Sequence, residues 1–437
     1  MDTEEGFQKN YTYCLRKYKI SKMRPQPRQK IYRIFFIDFI ISLFSIKLKK
    51  TNKVYLLEKK INQLTKTKNG LALNKGRLGA YLAVKSIITP KKNKIILSPF
   101  TIFDLVNMVI CAGGIPVFVD VDEKSITIDY KSIKKNYTTD VAGILITHNH
   151  KINKDIDKII EFKNTKNIYL IEDCAISFGS IYNNKFIGTL GDIGFYSFGM
   201  FKFVSTLNGG FITTNNDKLY EKFKKELYTF KKPEVLPLIK MFFKALFITF
   251  NTHNIIFKKL VSHIIKFGHL KNVNIINKFS KNDPAVKKIN FLPEEYKIKI
   301  SNYQAQSIIK QLDSNIRNKK IRNEHASIYY KELSEINELI MPEYIVGTQD
   351  SWINFPIQYK NRNDLLSFLF KNDRDIAKYY YRNCNELKIF DQYKKNLPNI
   401  KIIVKNLIML PTYPGYNKKQ IYQNIKIIKN YFKKKSK

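Results

Sequence analysis

The run Gly191-Asp-Ile-Gly-Phe-Tyr-Ser-Phe-Gly-Met-Phe-Lys202 reads as a strand, Ile193 to Phe198, ending in a lone lysine, with Asn208-Gly-Gly-Phe-Ile-Thr-Thr soon after it. Upstream, Ile168-Tyr-Leu-Ile-Glu-Asp-Cys-Ala is a second apolar run that presents Asp173 at its end. An amine and a carboxylate at the ends of two buried strands suit a cofactor that needs a Schiff base at one end and a charge partner at the other. Pyridoxal phosphate (PLP) is such a cofactor. Gly76 and Arg77 precede a helical pattern carried by Leu78, Tyr81 and Leu82. Backbone N–H groups at such a helix start can hold a phosphate. His148 and His150 alternate just past another apolar run, so they face one way on an extended chain. With neither a nearby cysteine nor a third ligand in the sequence, no metal site is expected from them.

These residues need a scaffold that brings strand ends together. From about Val54 to Phe230 short apolar runs alternate with helical patterns, which predicts an α/β fold with a mostly parallel sheet. The predicted strands are 94–98, 115–120, 142–147, 168–172, 194–198 and 210–214, with helices near 79–86, 103–111, 155–162 and 218–227. Such sheets bind ligands beyond the carboxyl ends of their strands, where Asp173 falls.

The rest of the chain divides around this unit. Residues 1–54 form a basic leader whose apolar stretch, 31–46, is too short and too interrupted (Arg33, Asp38) for a membrane span. Residues 55–230 are the predicted large cofactor-binding domain. Residues 231–290 mix Phe, Ile and Lys at helical spacing and read as a basic amphipathic insertion. Both 31–46 and 237–270 suit contact with an anionic membrane surface, and equally suit packing against the protein's own core or a dimer partner. Residues 291–437, with a long helix near 302–326, a strand at 352–358 and a closing helix after Pro414, predict a smaller C-terminal α+β domain.

Composition limits the alternatives. The 437 residues are 44% hydrophobic and 14% aromatic, enough for a substantial core. With 77 Lys+Arg against 36 Asp+Glu the net charge is +41. That surplus suits nucleic acid or an anionic membrane, and it equally suits a Lys-, Ile- and Asn-rich composition spread along the whole chain. There is no helix-turn-helix, zinc-finger or aromatic RNA-binding pattern, so no specific nucleic-acid partner is expected. The four cysteines (Cys14, Cys111, Cys174, Cys384) are scattered. Together with an acidic N-terminus lacking a signal-peptide pattern, they point to the cytoplasm, with the inner membrane surface open as a contact.

Ile171-Glu-Asp-Cys-Ala, Gly188-Thr-Leu-Gly-Asp-Ile-Gly-Phe-Tyr-Ser-Phe-Gly-Met-Phe-Lys and Asn208-Gly-Gly stand in an order and spacing that resembles the DegT/DnrJ/StrS-type nucleotide-sugar aminotransferases. The similarity extends to Phe100-Thr, Ala112-Gly-Gly-Ile-Pro-Val-Phe-Val-Asp-Val-Asp and Leu410-Pro-Thr-Tyr-Pro-Gly. The resemblance implies the PLP-dependent aspartate-aminotransferase fold (fold type I), with Lys202 as the Schiff-base lysine and Asp173 as partner of the pyridinium nitrogen. It implies Gly76, Arg77 and Ser197 around the phosphate, Ile102 or Phe103 in the register of a ring-stacking residue, and Ile176 where a polar residue is usual. His148 matches a strand-end histidine and, with Asn208, is placed near the substrate. Gly199, Met200 and Lys297 also depart from the pattern. The implied reaction moves an amino group from an amino acid, glutamate, to a nucleotide-linked keto-sugar in a homodimer, for polysaccharide or lipopolysaccharide biosynthesis. A PLP-dependent sugar dehydratase or epimerase, and a degenerate member binding membrane or nucleic acid, remain open alternatives.

Overall fold

A computed structural model describes residues 52–199, 202–206, 208–270, 286–374, 376–378 and 381–435. The apolar stretch 31–46 of the leader, and Met200, lie outside the described residues.

The N-terminal helix α1 (Lys53–Thr65) leads into β1 (Asn69–Leu73), α2 (Arg77–Ile87), β2 (Lys94–Leu97), β3 (Phe100–Thr101), α3 (Phe103–Cys111) and β4 (Ile115–Phe118). Then follow α4 (Tyr130–Asn136), β5 (Val141–Thr147), α5 (Ile156–Lys166), β6 (Tyr169–Asp173), β7 (Ile181–Tyr182), β8 (Lys185–Phe186), β9 (Ile193–Ser197), β10 (Gly210–Thr214) and α6 (Asp217–Tyr228). Seven strands form one sheet in the order β1-β10-β9-β6-β5-β2-β4. The five from β9 to β4 run parallel; at one edge β10 is reversed, and β1, antiparallel to β10, runs in the direction of the five again. All seven residues of β5 are buried, as a continuous apolar run covered on both faces should be. The fold is the expected α/β fold with a mostly parallel sheet, and each predicted strand is present within two residues of its predicted ends. Strand β1 and helix α1 were not anticipated. Asn-Gly-Leu-Ala-Leu has little strand propensity, and its pairing partner lies far away in the sequence, Asn69 facing Thr214.

Two apolar cores flank the sheet. One side packs Leu78, Ala80 and Leu82 of α2 and Leu105, Val106 and Met108 of α3. The other packs Leu57 and Ile61 of α1 and Ile156 and Ile159 of α5. Alternation along a strand therefore assigns faces. Ile171 belongs to the α2/α3 side and so does Asp173, two residues on; Leu170 and Glu172 belong to the other.

After α6 the chain forms α7 (Val235–Asn251), a short turn and π-helical segment, and α8 (Ser262–Leu270). Next comes α9 (Asn302–Leu333), 32 residues started by a Ser301/Gln304 capping box. Its first half packs Ala305, Ile308 and Leu312 into the core beneath the large sheet. Its second half packs Ala326, Tyr329 and Leu333 into a third core. The rest of the chain forms β11 (Thr348–Gln349), β12 (Asn354–Gln358), α10 (Arg362–Lys371), β13 (Ala377–Lys378), β14 (Arg382–Asn383), α11 (Pro398–Asn406), β15 (Leu407–Pro411) and α12 (Lys418–Lys435). Of these β12, α10, β15 and α12 complete the third core, with β12-β15-β13 as its sheet. Residues 382–403 return to the large unit. Strand β14 pairs with β3, and Phe390, Leu397, Ile400 and Ile403 join the α2/α3 core. The Asp120 carboxylate accepts the N–H groups of Asn399 and Ile400 at 3.0 and 3.1 Å, anchoring the start of α11.

On α1, Glu58 accepts the Ala72 N–H at 3.0 Å, and burial pushes its carboxyl up to about 7. The folded state thus binds this proton more tightly than the unfolded chain, and stability falls as pH rises from about 4.5 through 7. Glu58→Gln keeps the acceptor and removes the charge. Thermal melts should show it more stable than the parent at pH 8 and equal to it near pH 4; equal melts at both pH values would refute this.

Candidate active site

Asp173 ends β6 and is 4% exposed. Burial raises its carboxyl above the ordinary value, against the Ala175 N–H bond (3.0 Å) and the charge of Lys202. Lys202 lies half-buried five residues beyond β9. Burial is the main cause that brings its ammonium down to about 8; Asp173 opposes the shift and Arg77 adds to it. A lysine with that value is a free amine in substantial part at mildly alkaline pH, which is the state a nucleophilic amine needs.

The turn before α2 faces the same space. No side chain caps α2. A Cβ on Gly76 would stand 2.5 Å from the Ser197 Cβ, so only glycine lets the turn close on the end of β9. Arg77 donates to the Asp104 carboxylate on α3 and to the Tyr296 hydroxyl at 2.9 Å. The Lys75 ammonium sits 3.7 Å over the Tyr296 ring and is held down to about 8 by burial and by the Arg77 charge. Lys75, Arg77 and Lys202 thus crowd positive charge at an uncapped helix N-terminus, with Asp104 engaged by Arg77. This is an environment for an anion such as a phosphate. The Ser197 Oγ accepts the Gly199 N–H at 3.4 Å.

His148 is fully buried, its Nε2 3.1 Å from Glu172 Oε2. Glu172 also accepts the N–H groups of Gly188, Leu190 and Gly191 at 2.7–3.0 Å, which fixes the loop that feeds β9. Ligand atoms of His148, Glu172 and Cys174 lie within 4.8 Å of one another, a grouping that does not include His150. His150 is buried with neither ring nitrogen hydrogen-bonded. Burial and the nearby Lys202 charge keep it neutral, with its value down at about 3.

The geometry therefore gathers Lys202, Asp173, Gly76, Arg77 and Ser197. The other sequence candidates are placed differently. Ile102 is the exposed residue before α3, and Phe103 is buried in the α2/α3 core. Ile176 packs in the core on the opposite side of the sheet, with Phe178 and Phe198. Asn208 donates to the Met241 sulfur at 3.6 Å, and its carbonyl accepts from Gln304 at 3.3 Å. Two residues near the site were not picked out for it from sequence: Tyr296 and Tyr381. Tyr381 packs edge-on against Phe100 at 5.7 Å, and its hydroxyl is pushed up by burial and by the Asp173 charge. Nothing local marks it, because only the β14–β3 pairing brings it here.

The chain is 29% identical over 173 residues to GDP-perosamine synthase of Escherichia coli O157:H7, covering 40% of this chain and 48% of that protein. It is 22% identical over 381 residues to GDP-perosamine synthase of Vibrio cholerae, covering 86% and 89%. The solved structure of NtdA from Bacillus subtilis with bound cofactor PMP superposes with a TM-score of 0.68 at 18% identity, over 90% of this chain and 82% of that one. The model of the DegT/DnrJ/EryC1/StrS aminotransferase family matches residues 41–234 and 269–429, leaving out a segment that contains α7. This chain belongs to the DegT/DnrJ/EryC1/StrS aminotransferase family, whose enzymes depend on pyridoxal phosphate.

Proposed function

We propose that this enzyme moves the amino group of an amino acid, glutamate, to the keto group of a nucleotide-linked sugar, yielding an amino sugar for surface polysaccharide. The observation that carries this reading is the convergence of a depressed lysine, a buried carboxylate and an uncapped, cation-rich helix start in one space. When bound, PLP supplies a reactive carbonyl and a ring that accepts electrons from the bond broken at the donor carbon. The residues present fit it. Lys202 would hold the aldehyde, and its amine would carry the proton moved at the donor carbon. Asp173, when ionised, keeps the ring nitrogen protonated. Lys75, Arg77, Ser197 and the α2 N-terminus would hold the phosphate, while His148, buried against Glu172, and Asn208, bonded to Met241 and Gln304, would support the frame of the site. His150, neutral and unpartnered, offers both a donor and an acceptor to a polar group of the substrate.

In this reading residues 55–230 form the cofactor domain, 231–290 an insertion and 291–437 the smaller domain. The working unit is a cytoplasmic homodimer. The test is spectroscopic and chemical. The purified enzyme should carry a visible absorbance band that glutamate bleaches, and borohydride reduction followed by peptide mapping should label Lys202. Label on another lysine would overturn the site. A band indifferent to every amino donor, with turnover of a nucleotide sugar, would favour dehydration or epimerisation.

A further inference from the structure

Helix α7 has two apolar stripes and only one is covered. Leu238, Phe242 and Ala245 are buried, and the first two pack against Tyr303 of α9. The second stripe, Leu236, Phe243, Phe247 and Phe250, follows helical spacing and is exposed, Phe243 at 62%, Phe247 at 69% and Phe250 at 62%. Beyond the helix Ile255, Leu260 and Ile264 are exposed too. So many large apolar side chains in one short segment of a folded chain mark a docking face. Lys240 and Lys244 stand four apart, exposed beside the stripe. From Val235 to Leu270 the sequence holds five lysines (240, 244, 258, 259, 266) and no aspartate or glutamate.

Charge decides the occupant. A two-fold contact in which α7 meets α7 of a second copy opposes these lysines, with no acid between Val235 and Leu270 to compensate them. An anionic lipid surface meets both features: rings sink to the boundary of headgroups and acyl chains while lysines reach the phosphates. No helix among the described residues is long and apolar enough to cross a membrane, so the segment would lie on the surface.

We propose that the exposed stripe of α7, continued by residues 255–264, docks the enzyme onto an anionic phospholipid bilayer. The docking face stands beside the active-site frame. Met241 accepts from Asn208, the Asn208 carbonyl accepts from Gln304, and Gln304 donates at 2.9 Å to Asn74, which directly precedes Lys75 and Gly76. Binding to lipid is independent of the amino-transfer reading, so either can fail alone.

The test is co-sedimentation of the full-length protein with vesicles of phosphatidylethanolamine and phosphatidylglycerol, with phosphatidylcholine vesicles as the neutral control. The parent should pellet with the anionic vesicles and be released in part by salt. F243S/F247S/F250S should lose about tenfold or more in vesicle affinity, and K240Q/K244Q should lose affinity for anionic vesicles alone. Both variants should keep the parent's circular dichroism, which shows that they fold. Failure of the parent to pellet with anionic vesicles, or equal pelleting of the serine variant, would overturn the proposal. So would a parent that ignores vesicles and a serine variant that sediments as a smaller oligomer, the result expected if a second copy covers the face.

Discussion

Lys202→Ala is expected to lower amino transfer by about a thousandfold, the scale of a lost acid–base group, and to abolish covalent capture of the cofactor. The lysine follows β9 on a loop and belongs to none of the three apolar cores, so the variant should fold and melt near the parent. The direction of its shift adds a pH signature. With the ammonium brought down to about 8, the free amine is half populated near that pH rather than at 10.5. The rate at which cofactor-free parent enzyme captures added PLP should therefore rise through pH 8 and level off soon after. A rate that climbs steadily toward pH 10 would show that burial does not tune this amine. Activity of Lys202→Ala within tenfold of the parent would show that the lysine is not the acid–base group.

The second large effect is expected at Asp173, where stability and activity should move in opposite directions. Its carboxyl is raised in the folded protein, chiefly by burial. Between the ordinary value of 3.8 and the raised one the folded state binds more protons than the unfolded chain, so stability falls as pH climbs through that window and stays lower above it. Asp173→Asn retains an acceptor for the Ala175 N–H and carries no charge. Cofactor-free Asp173→Asn should melt above the cofactor-free parent at pH 8. Amino transfer should drop about a hundredfold or more, since the ring nitrogen loses its counter-ion. A variant less stable than the parent at pH 8 would mean that the carboxylate is compensated in the empty site. Near-normal turnover would remove Asp173 from the chemistry. A buried charge kept at a cost to the fold is a pattern expected of a functional group.

Legibility in the sequence followed the range over which each feature is determined. Val141–Thr147 announces a doubly covered strand through its own composition, and Asp173 and Lys202 are visible because each ends such a run. The turn at Gly76 is legible for the same local reason. Strand β1 is not, since its five residues become a strand only by adding to β10. Tyr296 and Tyr381 are harder still. One follows the insertion and the other sits in a run of three tyrosines, and each reaches the site through tertiary packing alone. The charge pattern of 237–270 left three occupants open in sequence. Side-chain exposure divides them: one stripe of α7 is spent on the protein itself and the other is not.

The return of residues 382–403 to the large unit sets the order in which this protein becomes itself during synthesis. The seven strands of the main sheet have all left the ribosome once Thr214 has emerged. Its α2/α3 side still lacks Phe390, Leu397, Ile400 and Ile403, and β3 still lacks its partner. The nascent chain must hold that apolar surface open while about 190 further residues, including the Phe-rich helix α7, are made. At ordinary elongation speeds this is a wait of about ten seconds or more. A chain truncated before residue 382 is expected to expose that apolar surface and to aggregate more readily than the whole chain, which sedimentation of the two would check.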